Sequence, residues 1–159
     1  MPRFAEVKHT VWIAAPQDSV RRQFADLQHH IATTVHPKLR FEVVEQSARG
    51  ARYVQYVKLL GLTQRDVFVR SFPPDGSMVD TSVEGFNRGG SLRFQFRTEA
   101  RQGAPGTAVD ITIRLPLPPL VGVLLKPLLE RQVRKEVTAA ADEDKYDIEV
   151  RGYPRALAA

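Results

Sequence analysis

Cysteine is absent from this sequence. Its absence excludes disulfides, thiolate zinc sites, iron–sulfur clusters and cysteine nucleophiles. It also fits a reducing, cytoplasmic setting. Long hydrophobic runs are missing too. The longest greasy stretch, Leu115 to Leu125, holds three prolines and falls well short of the roughly 20 residues a membrane helix needs, so no integral membrane segment is expected. The opening residues, MPRFAEVKHT, carry charges and no apolar core, which argues against a signal peptide. Lysine and arginine are scattered, with no basic block, and the formal net charge is only +5. Nucleic acid is therefore not an expected partner. No nucleophile elbow, glycine-rich phosphate loop or zinc-protease helix motif occurs.

What remains is an ordinary globular composition, 43% hydrophobic and 26% charged over 159 residues. One domain, 1–159, large enough to bury a core is expected, with 142–159 as a possible extra tail segment. Glu6 to Ile13 alternates as a first strand. Pro16 then suits a first helical turn, and Asp18 suits the positive end of the helix dipole. Val20, Phe24, Leu27 and Ile31 form one apolar stripe. That helix should fade through HHIATTVHP, where β-branched residues gather and Pro37 restricts His36.

Six further strand-like runs follow: Leu39–Glu45, Tyr53–Leu60, Arg65–Phe72, Met78–Phe86, Leu92–Glu99 and Ala108–Leu115. Short turn segments such as LGLT, PPDG and NRGG separate them, which predicts an antiparallel meander. A last helix should start near Pro118 or Pro119. Leu120, Leu124, Leu128 and Arg131 form one of its rows; Val121, Leu125, Leu129 and Val133 form another. Pro127 should kink or break it. It should end around Asp142, and YDIEV at Tyr146–Val150 alternates as a short extra strand. The run PLPPLVGVLLKPLL invites a membrane reading, but an amphipathic membrane helix normally shows a strongly basic polar face. Only Lys126 interrupts the greasy half, so burial against the sheet is the expectation.

The segments VKHTVWIAAPQDSVRRQFADL and HPKLRFEVVE, with the closing apolar helix, resemble the START/polyketide-cyclase superfamily, also called the helix-grip or SRPBCC fold. The resemblance extends over nearly the whole chain. It implies an α+β fold in which a curved antiparallel sheet wraps around a long C-terminal helix. It also implies a cavity between them for a small hydrophobic ligand of lipid, polyketide or aromatic type. A second resemblance is to the catalytic domain of Rieske-type aromatic oxygenases, whose iron is held by two histidines and a carboxylate in a D-x-x-H-x4-H-like stretch. DLQHHIATTVH, from Asp26 to His36, is similar. Its spacing departs from that pattern: from His29 to His36 it is too long, and from His30 it is one residue too long. ADEDKYDIEV is similar to the acidic segment near the end of such domains.

Within that frame the candidate ligand-binding residues are His36, Phe41, Phe94, Phe96, Ile111, Leu120, Leu124 and Leu128. His30 and His36 are the candidate metal ligands, because imidazole suits zinc or iron. His29 and His30 are adjacent and point about 100° apart on a helix, so they would not both face one ion. The competing reading leaves them at a fraying helix end in water, and no metal or cofactor is expected. Asp66, Asp80 and Glu84, with Arg65, lie in strands. A carboxylate in an apolar cavity could act as a general acid or base, whereas a wet strand face carries charges routinely. The leading function is binding of a small hydrophobic molecule. The alternatives are a cyclase/dehydratase-like enzyme or a non-haem iron enzyme using His29, His30 and His36, and a protein-interaction module. Neither ligand identity nor oligomeric state has a signature in these residues.

Overall fold

Alternation along the chain becomes a sheet with one covered face. In β7 (Thr107–Pro116), Val109, Ile111, Ile113 and Leu115 are buried, while the residues between them reach toward solvent. The computed structural model describes residues 3–154. The other strands are β1 (Phe4–Ile13), β2 (Arg40–Ser47), β3 (Gly50–Leu59), β4 (Leu62–Ser71), β5 (Met78–Gly85) and β6 (Ser91–Thr98). They form one seven-stranded antiparallel sheet in the order β1-β7-β6-β5-β4-β3-β2. Helices α1 (Gln17–Ala25) and α2 (Leu27–Ala32) carry the chain from β1 to β2, the opposite edge, and α3 (Gly122–Glu149) follows β7.

Local chemistry sets the bends. Leu59 pairs with Leu62, so Leu60 and Gly61 alone make the β3–β4 turn, both at positive φ. Bulges interrupt the β2–β3 register near Val43 and the β4–β5 register near Val67. Such bulges increase local twist and curve a sheet. Gly85, at φ 117°, passes so close to the Arg65 carbonyl that any side chain would collide with it. The core joins Val7, Val11 and Ile13 of β1 and the inward row of β7 to Leu129, Val133 and Val137 of α3, with Val20 and Phe24 of α1 between.

Three helix expectations are corrected. The first helix is two. It breaks at Asp26, whose side chain accepts a hydrogen bond from the His29 backbone N–H and so restarts the chain as α2. The restart shifts the helical phase. Ile31 ends up 40% exposed, and His29 and His30 turn inward. The last helix starts at Gly122, runs unbroken through Pro127 and continues to Glu149. Pro127 removes one backbone hydrogen bond near an exposed helix start, and burial from Leu129 onward holds the rest. YDIEV is therefore helix, not strand. The buried row Leu129, Val133, Val137, Ala141, Asp144 and Ile148 keeps helical spacing straight through it. The part of the tail beyond residue 154 lies outside the described residues.

The third correction concerns the greasy half of α3. The row facing the sheet is the one through Leu129 and Val133. Leu120, Leu124 and Leu128 lie on the opposite side and are 100%, 82% and 55% exposed, so none of them lines the interior. Among the described residues, no helix is long and apolar enough to cross a membrane.

These burials fix an ordering of stability effects. Ile13→Ala, at a fully buried site, should cost about 2–5 kcal/mol in urea denaturation. Leu124→Ala, on the outer face, should stay within about 0.5 kcal/mol of the parent.

Candidate functional site

Between the sheet, α1–α2 and the middle of α3 lies a cavity of about 170 Å³. Its apolar wall comes from Phe24, Leu27, Phe41, Phe94, Ile111 and Val137, among others. Rings follow one another along it. Phe24 meets Phe94 edge-on at 5.8 Å, His36 meets Phe41 at 6.3 Å and Phe41 meets Tyr53 at 5.9 Å, while behind the wall Tyr53 stacks on the core residue Phe68 at 5.5 Å. Edge-to-face contacts of this kind are favourable because a ring's positive edge meets its neighbour's negative face.

Two polar groups interrupt that wall. One is strand-borne. Arg70 of β4 donates from Nε to Asp80 Oδ1 and from Nη2 to Asp80 Oδ2, both at 2.8 Å, and Tyr53 of β3 donates its hydroxyl to Asp80 Oδ2 at 2.7 Å. The remaining guanidine nitrogen, Nη1, reaches the Phe24 and Ala25 carbonyls that end α1. Burial and the Asp80 charge hold the Tyr53 hydroxyl well above its ordinary range. Burial works against the Arg70 charge, but the Asp80 hydrogen bonds and charge more than restore it. Asp80 has both oxygens satisfied, so this group is a closed unit.

The other group joins α2, the loop after it and α3. His30 Nδ1 faces the Asp26 carbonyl at 2.7 Å. A carbonyl only accepts, so Nδ1 carries the hydrogen and Nε2 turns to Asp144 Oδ1 at 2.9 Å. His36 sets Nδ1 against Glu143 Oε1 at 3.2 Å and Nε2 against Asp144 Oδ1 at 3.4 Å. Behind them His29 Nε2 lies 2.7 Å from Asp147 Oδ2. Gln23 Nε2 donates to Asp144 and to Asp147, each at 3.0 Å, bridging the two histidine–carboxylate pairs. Burial alone would lower the pKa of His36, but the Asp144 charge, with help from Glu143, pushes it up to about 10. Burial likewise opposes ionisation of Asp144, and His36 and His30 nevertheless hold it well below the usual carboxylate range.

Of the sequence-predicted residues, His36, Phe41, Phe94 and Ile111 line this cavity, as does His30. Phe96 does not. It is buried in the core, packed edge-on against Phe24 at 5.7 Å. Leu120, Leu124 and Leu128 face outward on α3. The three histidines are buried, so the reading that put His29 and His30 in water is overturned. His29 and His30 do diverge as adjacent helical residues must, each taking its own carboxylate. Asp66 is buried away from the cavity, where it accepts from Ser82 and from Asn87, holding the turn after β5. Glu84 is exposed beside Arg65. Asp144 and Arg70 were missed. The signal for Asp144 was its place in the α3 stripe, hidden when the helix was ended at Asp142.

No family model and no curated protein matches the sequence. Solved structures do match the fold. A protein from Thermus thermophilus superposes with a TM-score of 0.79 at 20% identity, over 92% of this chain and 99% of that one. The Zhui aromatase/cyclase from Streptomyces sp. R1128 gives 0.71 at 20% identity, over 94% and 99%. A START superfamily protein from Mycobacterium smegmatis gives 0.70 at 14% identity, over 90% and 98%. This is the helix-grip fold. At these identities the likeness is one of fold, and the polar groups of this helix-grip chain stand on their own geometry.

The buried charges make stability pH-dependent with a definite sign. The folded state holds the His36 proton up to about pH 10, whereas an unfolded histidine releases it near 6.5. The contribution is therefore complete below 6.5 and lost as pH rises toward 10. Asp144 acts in the opposite sense. Its contribution is present above its ordinary value of 3.8 and is lost as pH falls below it. Urea denaturation of the wild type and His36→Gln should show a stability gap that is widest near pH 6 and shrinks steadily toward pH 10. A gap independent of pH would contradict the assigned ion pair.

Proposed function

We propose that this chain binds a small hydrophobic molecule of one or two rings in the cavity between sheet and α3. The observation that carries this reading is an apolar, ring-lined cavity of about 170 Å³ with polar groups converging on it. Its size is close to that of cavities of about 150 Å³ that take up a single aromatic ring. Burial of the ligand's apolar surface drives binding, at about 25 cal/mol per Å². Orientation comes from the histidine group, because Asp80 is already saturated whereas the His36–Asp144 contact, at 3.4 Å, is loose enough to yield to a ligand oxygen. A cyclase-like step in the same cavity would use His36 as its proton donor.

A specific observation favours a second reading, a metal centre. One ligand atom each from His30, His36 and Asp144 lies within 4.8 Å of the others, and all three residues are buried. Two histidines and a carboxylate suit a divalent iron ion, and the hydrogen bond from His30 Nδ1 to the Asp26 carbonyl is the kind of outer contact that aims Nε2 at a metal. Such an ion would supply Lewis-acid or oxygen chemistry at the polar end of the cavity.

The two readings separate experimentally. 2-Naphthol should bind the wild type in titration calorimetry, and Ala140→Phe, which fills the cavity from α3, should weaken it at least about tenfold with the melting temperature retained. Unchanged uptake in that variant would sink the proposed location. Native mass spectrometry should show the bare protein mass or an organic adduct under the first reading. A stoichiometric iron or zinc adduct, lost in Asp144→Asn, would establish the second.

A further inference from the structure

From the outer face of α3 we infer that this protein docks on an anionic membrane surface, with the start of that helix as the inserting tip. Leu124 and Leu128 share one helical face, opposite the buried row, and are 82% and 55% exposed. Leu120 just before the helix is fully exposed and sits at φ 71°, a left-handed conformation that a leucine rarely adopts. Val121 and Val123 are exposed beside them. An apolar face this contiguous is unusual on a water-facing surface and marks an interaction site.

The charges around it indicate what covers it. Along the same helical face the next two turns present Arg131 and Lys135, both exposed. Between Leu115 and Lys135 the chain has four basic residues, Lys126, Arg131, Arg134 and Lys135, and one acid, Glu130. Glu130 is half-buried, 3.5 Å from Lys126 and accepting from the Glu6 backbone N–H. The arrangement is a leucine tip followed by a cationic collar, which matches acyl chains beneath anionic headgroups. A second copy of the chain fits worse. A two-fold interface pairs this patch with itself and so offers the cationic collar no matching set of acids. The sequence alone pointed to burial of this segment because only Lys126 interrupts its greasy half. The helical phase overturns that by turning the leucines out and aligning them with Arg131 and Lys135.

Co-sedimentation with vesicles tests the inference directly. The wild type should pellet with vesicles of phosphatidylcholine mixed with phosphatidylglycerol and far less with phosphatidylcholine alone. Leu120→Ser/Leu124→Ser should bind at least about tenfold more weakly, and Arg131→Gln/Lys135→Gln should lose about fivefold per charge. All four positions are exposed, so circular dichroism and melting temperature should not change. Ala140→Phe, in the internal cavity, should bind vesicles as the wild type does, which separates docking from ligand uptake. Equal binding to neutral and anionic vesicles would overturn the inference. So would wild-type binding by the leucine variant, or a wild-type dimer that Leu120→Ser/Leu124→Ser converts to monomer in sedimentation velocity.

Discussion

Two carboxylates on α3, Asp144 and Asp147, sit in the row that faces the interior, and the architecture around the cavity follows from satisfying them. A buried charge without a partner costs several kcal/mol, so each carboxylate must be met by donors from another element. Those donors come from the α1–α2 segment. Gln23 bridges both carboxylates, His29 takes Asp147 and His30 takes Asp144. To deliver adjacent histidines to carboxylates one helical turn apart, the chain has to stop and restart at Asp26. That break leaves the carbonyls at the end of α1 in need of partners, and Arg70 supplies them while Asp80 neutralises its charge. One set of hydrogen bonds thus ties α3, the helix pair and the middle of the sheet to one another.

The same network divides the interior into chemically different regions. Where Arg70, Asp80 and Tyr53 meet, the bonds are short and mutual, and the group serves as a rigid end wall. Where His36 meets Asp144, the contact is longer and the histidine keeps its proton well above neutrality. A closed ion pair resists exchange with a ligand, and a looser one permits it. The apolar wall between them is supplied by rings whose positions are set by the sheet register and by the bulges that curve it.

Helix α3 has two roles along its length. From Leu129 onward its inward row completes the core and then the polar network. Before Leu129 its exposed side is apolar, and the turns next to that side are basic. Pro127 lies at the junction, and the helix passes through it because packing beyond it outweighs one missing backbone hydrogen bond.

Much of the fold was legible in the residues. All seven strands were anticipated within a few residues, because each is a strand-like run closed by turn chemistry, and the first, sixth and seventh also alternate. The order of elements pointed to the helix-grip architecture. Phe41, Phe94 and Ile111 could be placed at the cavity because strand alternation assigns a side chain to a face, and His36 because the proline after it ends the helical segment there. Helical phase was the weak point. Leu120, Leu124 and Leu128 and their neighbours Val121, Leu125 and Leu129 make equally apolar rows, and only contact with the sheet chooses between them. The buried carboxylates were unreadable for a related reason. An aspartate in a polar helical segment resembles a solvated one until a histidine from another element is brought within 3 Å. By itself the sequence determined which segments are strands and helices, because periodicity and turn residues act locally. Which helix face turns inward, and which charges become partners, was decided by long-range burial that no local pattern encodes.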